Sequence, residues 1–348
     1  MRKVLSIAEP STSVYTHHSY YLSIILNDPN TLWWVFSNYI QMYINKDLNK
    51  NFWGDFYFPM PYELKCFETC KWLSVQKTPR FIISERYDDI MVYLKEMLEN
   101  DYCVHMMVDY YYVSKSRHYM NKHRCHDCFI YGFDDDTQEL MCADYMFQDF
   151  KLRYETIKYD EIRDAFKSYL TRKDEILYDY IYSYKKKDTC DYAFHIQNVI
   201  GNLKDYGSSV MPEYWRNYNY DNSCEIAWGL SCYDVYSDYL RNFNSDIIDL
   251  RLLYMFMDHK RIMVDRLNFL QQKSSNVNLS KFIEYYEGLY GKLNKALKLL
   301  IKYDITRKED SKFSVCDILD EVKNDESSCI NGLIEELGNF DISGVILE

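Results

Sequence analysis

The spacing of apolar residues changes several times along the chain, and each change marks an element. Residues 14 to 48 open with VYTHHSYYLSIIL, break at NDPN and resume as TLWWVFSNYIQMYI. Asn27-Asp28-Pro29-Asn30 reads as a turn, and Asn30 or Thr31 can cap the segment after it, so two helices are predicted here. NFWGDFYFPMPY (51–62) mixes Pro and Gly with aromatics and reads as loop or short strand. Residues 87–100 place Ile90, Tyr93, Leu94, Met97 and Leu98 at helical spacing. The pattern then turns to strands. CVHMMVDYYYV (103–113) has a strand composition, CFIYGF (128–133) is a second strand, DDDTQ a turn and ELMCADY (139–145) a third. YDEIRDAFKSYL (159–170) returns to helix, with Ile162, Phe166 and Leu170 on one face.

Beyond about residue 171 the signal is mostly helical. Residues 247–273 and 278–303 are long amphipathic segments separated by SSNVN, with Asn278 or Ser280 as cap. They are predicted to form an antiparallel pair. Residues 306–348 are acidic and interrupted, and are expected to dock loosely. The predicted organisation is an α+β part over 1–156 and an all-α part over 157–348.

Composition narrows the function classes. With 41 basic and 53 acidic residues the net charge is -12, which argues against a general nucleic-acid binder. The basic run Lys185–Lys187 reads as a solvated loop. No stretch approaches the ~18 consecutive apolar residues of a membrane span, and Pro10 interrupts the N-terminal apolar patch. The expectation is a cytoplasmic protein with no membrane partner. Eleven cysteines, odd in number and irregular in spacing, read as reduced thiols rather than a disulfide framework. The 36 tyrosines fit either codon bias or an aromatic surface for carbohydrate or peptide.

The richest chemistry lies in NKHRCHDCFIYGFDDDTQELMCADY (121–145). Cys125 and Cys128 have CxxC spacing with His118, His123 and His126 nearby. A structural zinc site needs four converging ligands, a second CxxC is missing, and Cys128 falls inside the apolar strand, so no metal is expected. A catalytic reading uses His126, which begins one strand, and Asp144, which ends its partner. A carboxylate accepting from one imidazole nitrogen leaves the other free to take a proton. An odd loop puts both side chains on one face of the hairpin: a five-residue loop, Asp134 to Gln138, sets Asp144 diagonal to His126, and a three-residue loop sets them opposite. An even loop without a bulge separates them. On these residues alone, a strand-end histidine and a turn-capping aspartate are the favoured reading.

VHMMVDYYYVSKSRHYMNKHRCHDCFIYGFDDDTQELMCADY resembles the butirosin biosynthesis protein H N-terminal family, a branch of the papain-like cysteine-peptidase folds. The residues carrying the likeness are Val108, Asp109, Tyr110, Tyr111, Tyr119, His126, Gly132, Phe133, Asp134 and Asp144. The resemblance implies a papain-like antiparallel sheet with packed helices, His126 as base and Asp144 as its orienter. It also implies acyl transfer from a carrier-protein thioester to a small amine, in thiotemplated secondary-metabolite assembly. Phosphopantetheine would arrive on the acyl or peptidyl carrier partner, with no cofactor of the chain's own. The family's nucleophilic cysteine starts the first helix, and here that segment is YTHHSYYLSIIL, without cysteine. Ser19 is its best-placed hydroxyl, and His17 or His18 takes the cysteine's place. Three routes stay open. Ser19 serves as nucleophile, or His126 deprotonates an amine that attacks the activated thioester directly, or the chain is a non-catalytic partner. A cysteine-peptidase-like hydrolase is a further alternative that this segment suits poorly. Asp109 and Tyr119 are secondary substrate-binding candidates, Asp109 for a cationic amine.

Overall fold

The computed structural model describes residues 1–58, 66–147, 151–171, 179–213, 225–243 and 248–341. In chain order, β1 (Arg2–Val4) and α1 (Thr16–Ile25) precede α2 (Leu32–Ser37), β2 (Met42–Asn45) and β3 (Gly54–Phe56). Then come β4 (Leu73–Pro79), α3 (Arg80–Arg86), α4 (Ile90–Glu99), β5 (Cys103–Asp109), β6 (Cys125–Asp134) and β7 (Glu139–Asp144). β8 (Arg153–Lys158), α5 (Tyr159–Thr171) and β9 (Tyr180–Lys186) come next. The remainder is α6 (Ile196–Gly207), β10 (Ile226–Trp228), α7 (Ser231–Arg241), α8 (Arg251–Lys273), α9 (Ser280–Thr306) and α10 (Glu309–Leu337).

These elements group into two units, Met1–Thr31 with Lys65–Asp191, and Leu32–Leu64 with Tyr192–Glu348. The single cut near residue 156 expected from the sequence therefore falls inside the first unit. The reason is β9. It was expected to lie in a helical region, yet it pairs with β4 over its whole length and with β5 from Cys103 to His105. YIYSYKK is β-branched and aromatic in its first half. Lys185 and Lys186, expected in a loop, end this strand and reach Asp101 at 3.5 Å and Asp28 at 2.9 Å.

The first unit is built on a seven-stranded antiparallel sheet, ordered β4-β9-β5-β6-β7-β8, with β1 added to β6. One face is dry. Leu94 and Leu98 of α4 and Ile162, Ala165 and Phe166 of α5 bury against Val104, Met106, Val108, Cys128, Ile130 and Cys142. Asp89 caps α4 by accepting from the Met91 amide at 3.0 Å, and Arg163 of α5 grips the same carboxylate at 2.7 Å. On Phe129, whose side chain alternates with those of Cys128 and Ile130, Tyr20 of α1 stacks with centroids 4.9 Å apart.

In the second unit, β2 lies between β10 and β3 in a three-stranded sheet. Residues 42–45 were expected to continue a helix from Thr31. That helix stops at Ser37. Tyr39 has a left-handed φ of 56°, and the buried Arg266 guanidinium donates to the carbonyls of Phe36 (2.8 Å) and Tyr39 (3.2 Å) and to that of Asn38. A tertiary cation, not a local signal, ends α2. The two long helices appear as α8 and α9, joined by residues 274–279. The tail expected to dock loosely instead forms α10, which buries Val315, Leu319, Val322, Ile330, Leu333 and Leu337. Those positions recur at helical spacing, and the many acids occupy the rest of its surface. No described helix is long and apolar enough to cross a membrane.

Candidate functional site

β6 pairs with β5 on one side, Val108 opposite His126, and with β7 on the other, Phe129 opposite Ala143. The hairpin closes at Asp134 opposite Glu139, so its loop is Asp135–Gln138, an even count. An even loop alone would send His126 and Asp144 to opposite faces. A bulge at Tyr131, between the pairs Ile130–Cys142 and Gly132–Met141, adds one residue to β6 and restores the parity. His126 Nδ1 then lies 3.3 Å from Asp144 Oδ1. The bulge sits where β1 joins β6, Val4 opposite Gly132. A Cβ on Gly132 would stand 2.8 Å from the Lys3 carbonyl oxygen, a backbone atom that cannot swing away. Gly132→Ala is therefore expected to cost about 1–3 kcal/mol by overpacking. Urea melts of the two proteins would check it, and an unchanged midpoint would mean that β1 yields freely.

Asp144 is fully buried and heavily held. Oδ1 accepts from the backbone amides of Tyr145 and Met146, and Oδ2 from the Tyr110 hydroxyl. Tyr110 also donates to the Asp127 carbonyl at 3.2 Å. His126 retains 21% of its side-chain surface. Burial works against its charged form, but the Asp144 carboxylate outweighs this, helped by Asp127, and its pKa is raised. Among the described residues its Nε2 makes no hydrogen bond, so the nitrogen opposite Asp144 is available.

Next to this pair sits a network that the sequence reading missed. Thr16, the first residue of α1, donates to Asp127 Oδ2 at 2.6 Å. Asp127 Oδ1 lies 2.9 Å from His105 Nε2, and His105 Nδ1 lies 2.8 Å from the Tyr184 hydroxyl. Burial alone would raise the Asp127 carboxyl, but His105 and Thr16 hold it far below the usual carboxylate range. The start of α1 is thus fastened to Asp127, which follows His126 in sequence and points to the other face of β6. Tyr15, just before it, has φ 64° and ψ 115°, a strained left-handed conformation for a side-chain-bearing residue. The signal was present: His105 and Asp127 are polar residues inside otherwise apolar strand runs, and in antiparallel register they become diagonal neighbours.

The sequence-predicted α1 residues are placed less favourably. Ser19 is fully buried, and its hydroxyl shares hydrogen bonds with Tyr145 (2.7 Å) and Thr12 (3.2 Å) and donates to the Tyr15 carbonyl (3.3 Å). It makes no hydrogen bond to His126. His18 is buried and His17 half-buried, and their rings pack 4.4 Å apart within an aromatic run that includes Tyr15 and Tyr21. Tyr20 is buried with a hydroxyl that has no partner among the described residues. Burial and the nearby charges of Asp144 and Asp127 raise its pKa well above the usual phenol value.

Asp109 is not placed to receive an amine. Fully buried, it accepts from the amides of Tyr111 (3.1 Å) and Arg124 (3.1 Å), the Ser168 hydroxyl (2.7 Å) and His123 Nδ1 (2.6 Å). Four donors fill the roughly four lone-pair sites of a carboxylate. Its role is to close the loop between β5 and β6. Tyr119 lies on that loop, 45% exposed. Cys125 and Cys128, three apart on a continuous strand, point to opposite faces. Cys128 joins the dry core and Cys125 packs with Met107 and Tyr169, so the CxxC spacing cannot converge on a metal.

The chain matches no protein-family model and no curated protein.

Proposed function

We propose that the first unit is a papain-like domain that carries out aminolysis of a thioester borne by an acyl or peptidyl carrier protein, in thiotemplated secondary-metabolite assembly. The observation that carries this reading is the His126–Asp144 pair, 3.3 Å apart, whose Nε2 makes no hydrogen bond among the described residues. A histidine-bearing strand followed by a strand that ends in a carboxylate is the arrangement that the family resemblance implies.

The chemistry runs without an enzyme nucleophile. His126 Nε2 takes the proton of the attacking amine as its nitrogen adds to the thioester carbonyl. The C–S bond breaks, the carrier thiolate leaves, and the imidazolium returns the proton to sulfur. Asp144 holds the Nδ1 proton and stabilises the transient imidazolium. A carrier-bound thioester is already activated, so the missing cysteine does not block the reaction. Reduced thiols in the chain suit a cytoplasmic setting.

Buried and triply bonded, Ser19 supports the non-covalent route over an acyl-serine. Ser19→Ala is expected to keep the aminolysis rate within about twofold, since a group outside the transition state contributes nothing to it. Intact-protein mass spectrometry after mixing with an acyl-carrier protein checks the same point, and an acyl adduct on Ser19 would overturn the route. The same burial, with no thiol on α1, also favours a second reading, a non-catalytic partner of the assembly line. That reading expects carrier binding with no amide formed from any amine.

A further inference from the structure

We propose that the loop between β5 and β6 is a docking surface for an acidic carrier protein at the rim of the His126 site. The identity of the partner rests on the function proposed above.

The chain has 53 acidic and 41 basic residues, yet from Tyr110 to Arg124 it carries Lys115, Arg117, Lys122 and Arg124 and no Asp or Glu. Lys115 is neutralised by Glu155 at 2.9 Å, and Arg117 turns to the Tyr145 carbonyl at 3.4 Å. Lys122 and Arg124 are exposed, and neither meets a carboxylate among the described residues. They also crowd the candidate site. Besides burial, the charges of Arg117, Arg124, Lys122 and His126 act together to lower the pKa of His118. Like charges gathered in this way oppose the fold, and an acidic partner relieves that opposition.

Two further features favour a protein partner. The loop exposes Tyr119 by 45% and Met120 by 62%, beside the free cations. Tyr, Met and Arg are the residue types enriched in interface cores. The loop is also held in shape before any partner arrives. Asp109 takes the amides of Tyr111 and Arg124, Met120 N donates to the Tyr111 carbonyl at 3.0 Å, and Ser116 Oγ receives the His118 amide at 3.0 Å. A preformed surface loses little conformational freedom on binding. Single-stranded RNA would share the charge complementarity, but four cations on a chain of net charge -12 form a short footprint for a polyanion.

The test is the double substitution Lys122→Glu with Arg124→Glu in the full chain. Both side chains are exposed, so the fold should survive, with a thermal melt at or slightly above that of the wild type as the repulsion is relieved. Binding is measured by fluorescence anisotropy against a panel of acidic holo acyl- and peptidyl-carrier proteins, at low and physiological salt. The wild type is expected to bind with an affinity that falls as salt rises, and the double variant to bind about tenfold or more weakly. In turnover, KM for a carrier-borne thioester should rise with kcat unchanged, while the same acyl group on free pantetheine reacts at the wild-type rate. Undiminished carrier binding by the variant, no carrier binding by the wild type, or tighter binding of a single-stranded RNA would overturn the proposal. Carrier binding without amide formation would instead remove the proposed reaction and leave the docking surface. Turnover of free pantetheine thioesters without carrier binding would do the reverse.

Discussion

His126→Ala is expected to lower amide formation from an acyl-carrier thioester by about 10²–10⁴-fold, the usual contribution of a positioned general base. The variant removes the imidazole whose Nδ1 meets Asp144 at 3.3 Å and leaves the carboxylate its three remaining donors, from Tyr110, Tyr145 and Met146. The domain should therefore stay folded, and the loss should appear in kcat. A variant with full activity would mean that another group takes the proton. The pH profile offers an independent reading. The base must be neutral to act, and its pKa is raised above the ordinary value of 6.5, burial being outweighed by Asp144. The acid limb of the rate profile should therefore lie above 6.5. In Asp144→Asn that counter-charge is gone while burial remains, so the limb should move to lower pH. Stability responds with the opposite appearance. A group whose folded pKa is raised stabilises the fold fully below its unfolded pKa. That contribution is lost as pH rises through the folded value. The wild type should thus exceed His126→Ala in relative stability in mildly acidic buffer, and the margin should narrow toward alkaline pH.

The place of His126 and Asp144 at the ends of facing strands was legible in the sequence, and their pairing was what the family resemblance implied. The loop length was not legible. The sequence admits odd and even closures, and the structure uses an even one corrected by a bulge at Tyr131. Gly132 beside it is a local sign of a bulge, but the pairing of β1 with β6 at that point joins residues more than a hundred positions apart. Thr16 and Asp127 are 111 positions apart, and only the sheet brings them together. The substitution that sequence reasoning sought at Ser19 was judged by helix position alone. Burial, which decides a hydroxyl's use, comes from Tyr145 and Thr12 closing over it. In the second unit the same lesson concerns helix ends. WWVFSNYIQMYI is apolar enough for either element, and Arg266, some 230 residues downstream, settles the question by taking the carbonyls at 36, 38 and 39.

The largest stability effect is expected in the second unit, at a fully buried ion pair. Lys260 of α8 and Glu326 of α10 approach to 2.5 Å with no exposed side-chain surface. Tyr206 donates to the same carboxylate oxygen at 2.8 Å, and the rings of Tyr206, Tyr233 and Tyr286 surround the ammonium at 5.4, 5.4 and 5.8 Å. His259 completes the set. Its Nε2 donates to the Ile40 carbonyl at 2.9 Å, so its Nδ1 accepts from Lys260 at 3.0 Å. That tautomer requires a neutral ring, and burial with the charges of Lys260 and Arg266 pushes the His259 pKa well below its usual value. The pair satisfies itself, yet one Glu326 oxygen and the hydroxyls of Tyr233 and Tyr286 have no hydrogen-bond partner among the described residues. An ion pair of this kind adds little beyond what an apolar pair would, but it is costly to break. Lys260→Met alone strands the carboxylate, and Glu326→Leu alone strands the ammonium. Each is expected to cost about 3–5 kcal/mol in urea unfolding followed by a probe in this unit. The double variant should recover part of that loss, because no charge is then left buried alone, while the Tyr206 hydroxyl and His259 Nδ1 still lose their partners. Single variants that lose less than about 1 kcal/mol would show that water reaches the pair, since that is the range of exposed ion pairs. A double variant as unstable as the singles would show that the ring cluster cannot close over apolar side chains of this shape.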